Sequence, residues 1–203
     1  LPKGTYQTWV DDFTDPVYTT SSWISLSGTA WSVSGGRYVS SISMQHGDHT
    51  LVNLLPFLAL SDFYLETQFK FTSTGSSAGI VFRSNTYCYE VQFQPQAAQM
   101  SLVWSGVTKA YVRFAFALGA WYRFNMTVSG PSLAAYVDNT LLATANMTEA
   151  SQGRVGLCSF NSVVEYEYVL IRYPNPVTTT QTITAYSAMT TVPTTLHSPT
   201  VTI

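Results

Sequence analysis

Apolar and polar side chains alternate with a period of two along most of the first 173 residues. That period sends successive side chains to opposite faces of an extended strand. Phe63–Phe71 alternates so that Phe63, Leu65, Phe69 and Phe71 share one face. After a Thr74-Gly75-Ser76-Ser77 turn, Ala78–Arg83 reads as the next strand. Tyr87–Gln94 turns Tyr89, Val91 and Phe93 toward a core and Cys88, Glu90, Gln92 and Gln94 to the other side. Trp121–Val128 buries Tyr122, Phe124, Met126 and Val128 in the same way. Met100–Trp104, Lys109–Phe116, Leu133–Val137, Leu141–Ala145, Gly153–Phe160 and Val163–Tyr173 complete the set. Asp138-Asn139 suits a two-residue hairpin turn that needs positive φ. Helical periodicity is hard to find, and turn signals recur every 8–12 residues or so, which predicts an all-β fold of the sandwich or barrel kind.

The 203 residues are enough for one domain with a real core, and 46% of them are hydrophobic. Only 10% are charged, against roughly 25% in a typical soluble domain. Polarity comes from Ser and Thr instead. The net charge is -2 and the nine Lys and Arg are scattered singly, so the basic stripe of a nucleic-acid partner is missing. The longest apolar stretch, Leu51–Leu60, is interrupted by Asn53 and Pro56, and no membrane span is expected. After Tyr173 the composition changes: Pro174-Asn175-Pro176 opens a Thr-rich stretch without charge. The division expected is a β-sandwich head over 1–173 and an extended tail over 174–203. A start at Leu1 without a signal sequence reads as a mature, exported chain. The sequons Asn125-Met126-Thr127 and Asn146-Met147-Thr148 agree with a secreted or cell-surface setting, with glycans on Asn125 and Asn146.

Several of these strands carry a family resemblance. Phe63–Phe71, Ala78-Gly79-Ile80-Val81-Phe82-Arg83, Trp121-Tyr122-Arg123-Phe124, Ala135-Tyr136-Val137-Asp138-Asn139 and Gly153-Arg154-Val155-Gly156-Leu157 succeed one another as in a laminin-G-like, concanavalin A-like jelly roll. Trp9-Val10-Asp11-Asp12-Phe13 is similar to the first strand of such modules, and the likeness runs from about residue 9 to 173. Asn139 stands where the family usually has Gly, and Asn tolerates the same turn. The resemblance implies a two-sheet antiparallel sandwich with one concave face, which many relatives use to hold glycans. It fixes no activity, because the fold hosts lectins, glycosidases and structural proteins alike.

Candidate chemistry is sparse. Glycoside hydrolysis usually needs two carboxylates across the scissile bond. Glu165 and Glu167 share a face on the last strand but read as solvated outer carboxylates, and Glu90 stands alone. A non-catalytic protein without cofactor or metal is expected. His46 and His49 flank Gly47-Asp48 as a polar hairpin tip, and nothing else converges on them by sequence. Asp11, Asp12 and Asp15 offer oxygens to calcium or simply make a polar loop. Cys88 and Cys158 either close a disulfide, as an even pair outside the cell tends to, or remain buried thiols. Arg83, Tyr87, Glu90, Gln92 and Trp104, with Gln94, form a candidate glycan-contact face.

The tail adds an assembly reading. Thr180–Tyr186 is rich in β-formers and the chain closes on Val201-Thr202-Ile203. Such a segment can add a strand to a sheet edge. Ile183, Ala185, Val201 and Ile203 would then fill apolar pockets of a neighbouring copy, and a head-to-tail contact that does not close builds a filament. Head, tail and sequons together resemble pilus-like archaeal surface filaments joined by donor strands. Two function classes therefore compete: a structural filament subunit assembled from copies of itself, and a carbohydrate-binding module on a Thr-rich stalk.

Overall fold

The computed structural model describes residues 5–26, 31–40, 48–54, 57–73 and 75–175. The strand-donation residues Ile183, Ala185, Val201 and Ile203, and also His46, lie outside the described residues. Among the described residues fifteen strands form two sheets. In chain order they are β1 (Tyr6–Asp11), β2 (Trp23–Ser25), β3 (Trp31–Val33), β4 (Tyr38–Ser40), β5 (Asp48–Val52), β6 (Phe63–Phe71), β7 (Ser77–Ser84) and β8 (Tyr89–Gln94). β9 (Gln99–Trp104), β10 (Val107–Arg113), β11 (Trp121–Ser129), β12 (Ser132–Val137), β13 (Thr140–Asn146), β14 (Arg154–Phe160) and β15 (Val164–Pro174) follow. The first sheet runs β13-β12-β11-β6-β15-β4-β3, with β1 also paired to β15; the second runs β10-β9-β8-β7-β14-β5-β2. Every described pairing is antiparallel. The result is an all-β, two-sheet antiparallel sandwich.

The faces read from alternation are the faces observed. Phe63, Leu65, Phe69 and Phe71 of β6 and Phe124, Met126 and Val128 of β11 are fully buried. They meet Tyr89, Val91 and Phe93 of β8 from the opposite sheet in one aromatic core. At its centre Phe69 stacks on Phe93, with ring centroids 4.3 Å apart and planes within 7°. Asp138 and Asn139 both adopt positive φ, 48° and 64°, as the tight β12–β13 hairpin requires.

Local alternation breaks in several places, bulges in β10 and between β12 and β13 among them, and three breaks matter most here. A short helix, α1 (Pro16–Ser22), stands where helical periodicity gave no sign. Seven residues are too few to show a period, but the capping chemistry is there: Asp15 accepts from the Val17 and Tyr18 amides and Pro16 opens the helix. In β15 the register with β6 slips between Tyr166 and Tyr168, so Tyr168 swings outward and donates to Glu66 Oε1 at 2.7 Å. In β7 one extra residue sits between Val81 and Ser84 relative to β14, a bulge that takes Arg83 to a φ of 49°. No helix among the described residues is long and apolar enough to cross a membrane.

Because the Phe69 ring is enclosed by both sheets, Phe69→Ala is expected to cost about 3–5 kcal/mol. A urea unfolding midpoint shifted down at unchanged slope would register that loss; a change under about 1 kcal/mol would mean that the two sheets do not depend on this contact.

Candidate functional site

The outer face of the second sheet gathers polar side chains from strands far apart in sequence. Cα pairing sets out one row across it: Tyr111, Ser101, Gln92, Gly79, Cys158 and His49. Two residues along lies another, with Val103, Glu90, Val81, Gly156 and Leu51. His49 on β5 and Glu90 on β8 are separated by two strands, which is about 14 Å for three inter-strand steps. Yet His49 Nε2 lies 3.2 Å from Glu90 Oε1. Side chains can close that gap only if the sheet curves toward them, so this face is concave. Two glycines on it leave no room for a side chain. A Cβ on Gly79 would fall 1.8 Å from the Val91 carbonyl oxygen, and one on Gly156 would fall 2.0 Å from that of Thr50.

Along the face runs a chain of side-chain amides. Gln99 Nε2 donates to Gln94 Oε1 at 2.5 Å, Gln94 Nε2 to Gln92 Oε1 at 2.9 Å, and Gln92 Nε2 to Glu90 Oε2 at 2.6 Å. Each amide donates toward the next carbonyl, and the series ends on a carboxylate. The other carboxylate oxygen of Glu90 receives the Cys88 thiol at 3.5 Å and faces His49. That His49 contact is close but not aligned as a hydrogen bond, and Nε2 has no other partner. Burial pushes the Glu90 carboxyl up, but the contacts of His49 and Gln92 outweigh it and hold the group below its ordinary value. Burial and the neighbouring Glu90 push the Cys88 thiol up to about 12. Tyr111, 64% exposed, stands at the β10 edge of the same face.

Of the candidate glycan-contact residues, Glu90 and Gln92 lie on this face as alternation placed them. Arg83 does not. The bulge in β7 swings it into the end of the sandwich, where it is 1% exposed. There it donates to the carbonyls of Ala150 (2.9 Å), Ser61 (3.0 Å) and Gly130. Trp104 pairs in register with Tyr89 and therefore points to the core side, its ring 4.5 Å from that of Tyr89. Tyr87, just before β8, is exposed and leans on Trp104 at the sheet's end. The disulfide expected between Cys88 and Cys158 is not formed, and both thiols are free. β7 lies between β8 and β14. The two segments carrying the cysteines are thus about 10 Å apart, beyond the reach of roughly 7 Å between Cα atoms that a bridge allows.

His49, Gln99 and Tyr111 were the members that alternation did not assemble, whereas it set Cys88 on the same side as Glu90 and Gln92. A hairpin-tip histidine and a strand thiol become neighbours only through sheet order, and no local spacing carries that information. The three N-terminal aspartates have structural work. Asp11 accepts from Phe13 N, Thr19 Oγ1 and Trp23 Nε1, Asp12 from Thr14, and Asp15 caps α1. Glu165 is an outer-face carboxylate of the first sheet, paired with Lys70 at 2.9 Å and Arg37 at 3.2 Å, and Glu167 is exposed beside it. Asn125 lies on the outer side of β11 and Asn146 is exposed at the end of β13.

Fold and concave face together define a concanavalin A-like, galectin-like sandwich. The chain belongs to the family of 3-keto-alpha-glucoside-1,2-lyase-like domains, whose model matches residues 9–172. Among solved structures it is similar to the carbohydrate-binding module CBM66 from Bacillus subtilis, at 16% identity and a TM-score of 0.63 over 72% of this chain and 92% of that one. A Bacillus subtilis protein of unknown function with a galectin-like fold matches over 84% of this chain and 100% of its own, at 8% identity and a TM-score of 0.66. The Bacillus licheniformis beta-glucanase matches at 13% identity and a TM-score of 0.62, over 83% of this chain and 98% of that one. At these identities the likeness is one of fold. No curated protein matches the chain.

At the rim, Glu149 accepts from Tyr89 and pairs with Lys109 at 2.6 Å. The Lys109 contact first, then that of Tyr89, lowers its carboxyl from an ordinary 4.5 to about 2. A carboxylate lowered by folding contributes stability that is full above its unfolded value and is lost as pH falls through the folded one. Glu149→Gln should therefore shrink the drop in melting temperature between pH 6 and pH 3, because the variant has no carboxylate to protonate. An identical drop in both proteins would remove Glu149 from the acid response.

Proposed function

We propose that this domain recognises carbohydrate on the concave face of its second sheet and does so without cleaving it. The observation that carries this reading is the row of amides from Gln99 to Glu90, with Tyr111 beside it. Sugars present alternating hydroxyl donors and acceptors around an apolar ring face. Planar amides held in one line, next to an exposed aromatic ring, match both. Family membership and the fold shared with a carbohydrate-binding module support it. Among the described side chains of these strands, Glu90 is the only carboxylate on the face, whereas hydrolysis by the usual route needs two.

The family's description supports a second reading. Elimination across C1 and C2 of a 3-keto glucoside needs a base for the acidic C2 proton, and among the described residues Glu90 beside His49 is a carboxylate–imidazole pair on the face. Glu90→Gln separates the two: it would abolish turnover of a 3-keto glucoside while leaving the amide row able to bind. The filament reading rests on the head, the tail and the sequons taken together, and neither the family nor the fold comparisons lend it support.

The test is a screen of the purified chain against neutral polysaccharides and oligosaccharides by calorimetry. Binding should appear for at least one glycan and weaken at least about tenfold in Gln92→Ala and Tyr111→Ala, the loss of one or two good polar or stacking contacts. Binding that both variants retain would place recognition elsewhere, and a folded protein that binds no glycan would overturn the proposal. An extracellular setting is part of it, resting on the two sequons. Peptide mass spectrometry of material from the native source should find glycan on Asn125 and Asn146; both asparagines bare would sink that part.

A further inference from the structure

Three side chains, His49 from β5 and Cys88 and Glu90 from the segment that enters β8, converge on the concave face. His49 Nε2, Cys88 Sγ and the Glu90 carboxylate lie within 4.8 Å of one another. As a set of protein contacts the cluster is unfinished. The imidazole Nε2 is buried with no aligned hydrogen-bond partner, and a thiol is a weak donor to a carboxylate 3.5 Å away. We propose that His49, Cys88 and Glu90 form a zinc-binding site, with Nε2, Sγ and Oε1 as ligands and a fourth position open to solvent or ligand.

The distances fit that cation. Zinc binds nitrogen and carboxylate oxygen near 2.0–2.2 Å and thiolate near 2.3 Å, which puts neighbouring tetrahedral ligands about 3.3–3.6 Å apart. The Nε2–Oε1 separation is 3.2 Å and the Sγ–Oε1 separation 3.5 Å, so only the imidazole and the thiol have to draw together. The donor set also selects. One imidazole, one thiolate and one carboxylate suit zinc, whereas calcium and magnesium demand oxygen throughout. Thiolate and carboxylate together cancel the charge of the ion, and the thiol proton leaves to solvent on binding.

The surroundings supply what a metal site needs beyond its ligands. Gln92 donates to the second carboxylate oxygen at 2.6 Å and is itself held by Gln94, so the Glu90 rotamer is fixed from behind. On the two intervening strands the positions sharing this face are Gly79, Val81, Gly156 and Cys158, so no charged side chain stands between His49 and Glu90. Cys88 and His49 are each partly exposed, which gives an ion a way in. This site goes beyond glycan recognition and stands or falls independently of it.

Cobalt is the direct probe, because thiolate-bound tetrahedral Co2+ shows a sulfur-to-metal charge-transfer band and strong visible absorption. Titration of chelator-treated full chain should saturate at one equivalent with that band present, and Zn2+ should displace it. Cys88→Ser should remove the band and lower Zn2+ affinity by roughly 10–100-fold, with circular dichroism confirming the fold. His49→Gln should weaken binding similarly while the band survives at higher Co2+. Cys158→Ser should keep both. Wild-type protein giving no band at one equivalent overturns the proposal, as does a band that persists in folded Cys88→Ser or disappears with Cys158.

Discussion

At two points the second sheet brings neighbouring backbones so close that no side chain fits between them. A Cβ on Gly79 or Gly156 would fall within 2.0 Å of a carbonyl oxygen on the adjacent strand. Both positions lie on the concave face. Strands β5 and β8 bring outward side chains together across β7 and β14, so that residues about 14 Å apart along a flat sheet come into contact. A bulkier residue at either glycine would push the strands apart and separate His49 from Glu90.

Burial of Glu90 then has to be compensated. A carboxylate that is 5% exposed is expensive unless its oxygens are occupied. One oxygen is satisfied by the amide series from Gln92 back to Gln99, which spreads the negative charge along three polarised groups. The other oxygen meets only a thiol and a poorly aligned imidazole. The asymmetry is informative: the side facing the amides is complete, and the side facing the cleft floor is not. The outer face of the first sheet is different. There Glu66 receives Arg123, Tyr64 and Tyr168, and Glu165 receives Lys70 and Arg37. Carboxylates answered from every direction in this way have little left to offer a ligand.

Alternation was enough to assign the core. The inward residues of β6, β8 and β11 are those a period of two selects, because a half-buried strand cannot place them otherwise. It failed wherever the backbone departs from that period. Arg83 reads as an outward residue until the β7 bulge, with its positive φ, turns it inward to gather three carbonyls. Trp104 reads as a surface aromatic because its partner across the strand pair, Tyr89, is fixed by register and not by local sequence. The absence of a Cys88–Cys158 bridge is a matter of strand order, since β7 lies between them. His49 is the clearest case: alone it is a histidine near a turn, and only the order β8-β7-β14-β5 makes it a neighbour of Cys88.

The two readings of the concave face also differ in what they ask of the same residues. Glycan recognition needs the amide row to be rigid before the ligand arrives, since side chains that must order on binding each cost about 0.5–1.5 kcal/mol. The Gln99–Gln94–Gln92–Glu90 series meets that need by holding each amide through the next. Proton transfer needs something else, an acid–base pair whose members respond to a substrate at hand. Glu90 is held in its charged form by its surroundings, which makes it a weaker base and a better anchor. That direction of shift favours a carboxylate that orients neighbours over one that takes protons, and it ties the rigidity of the row to the group at its end.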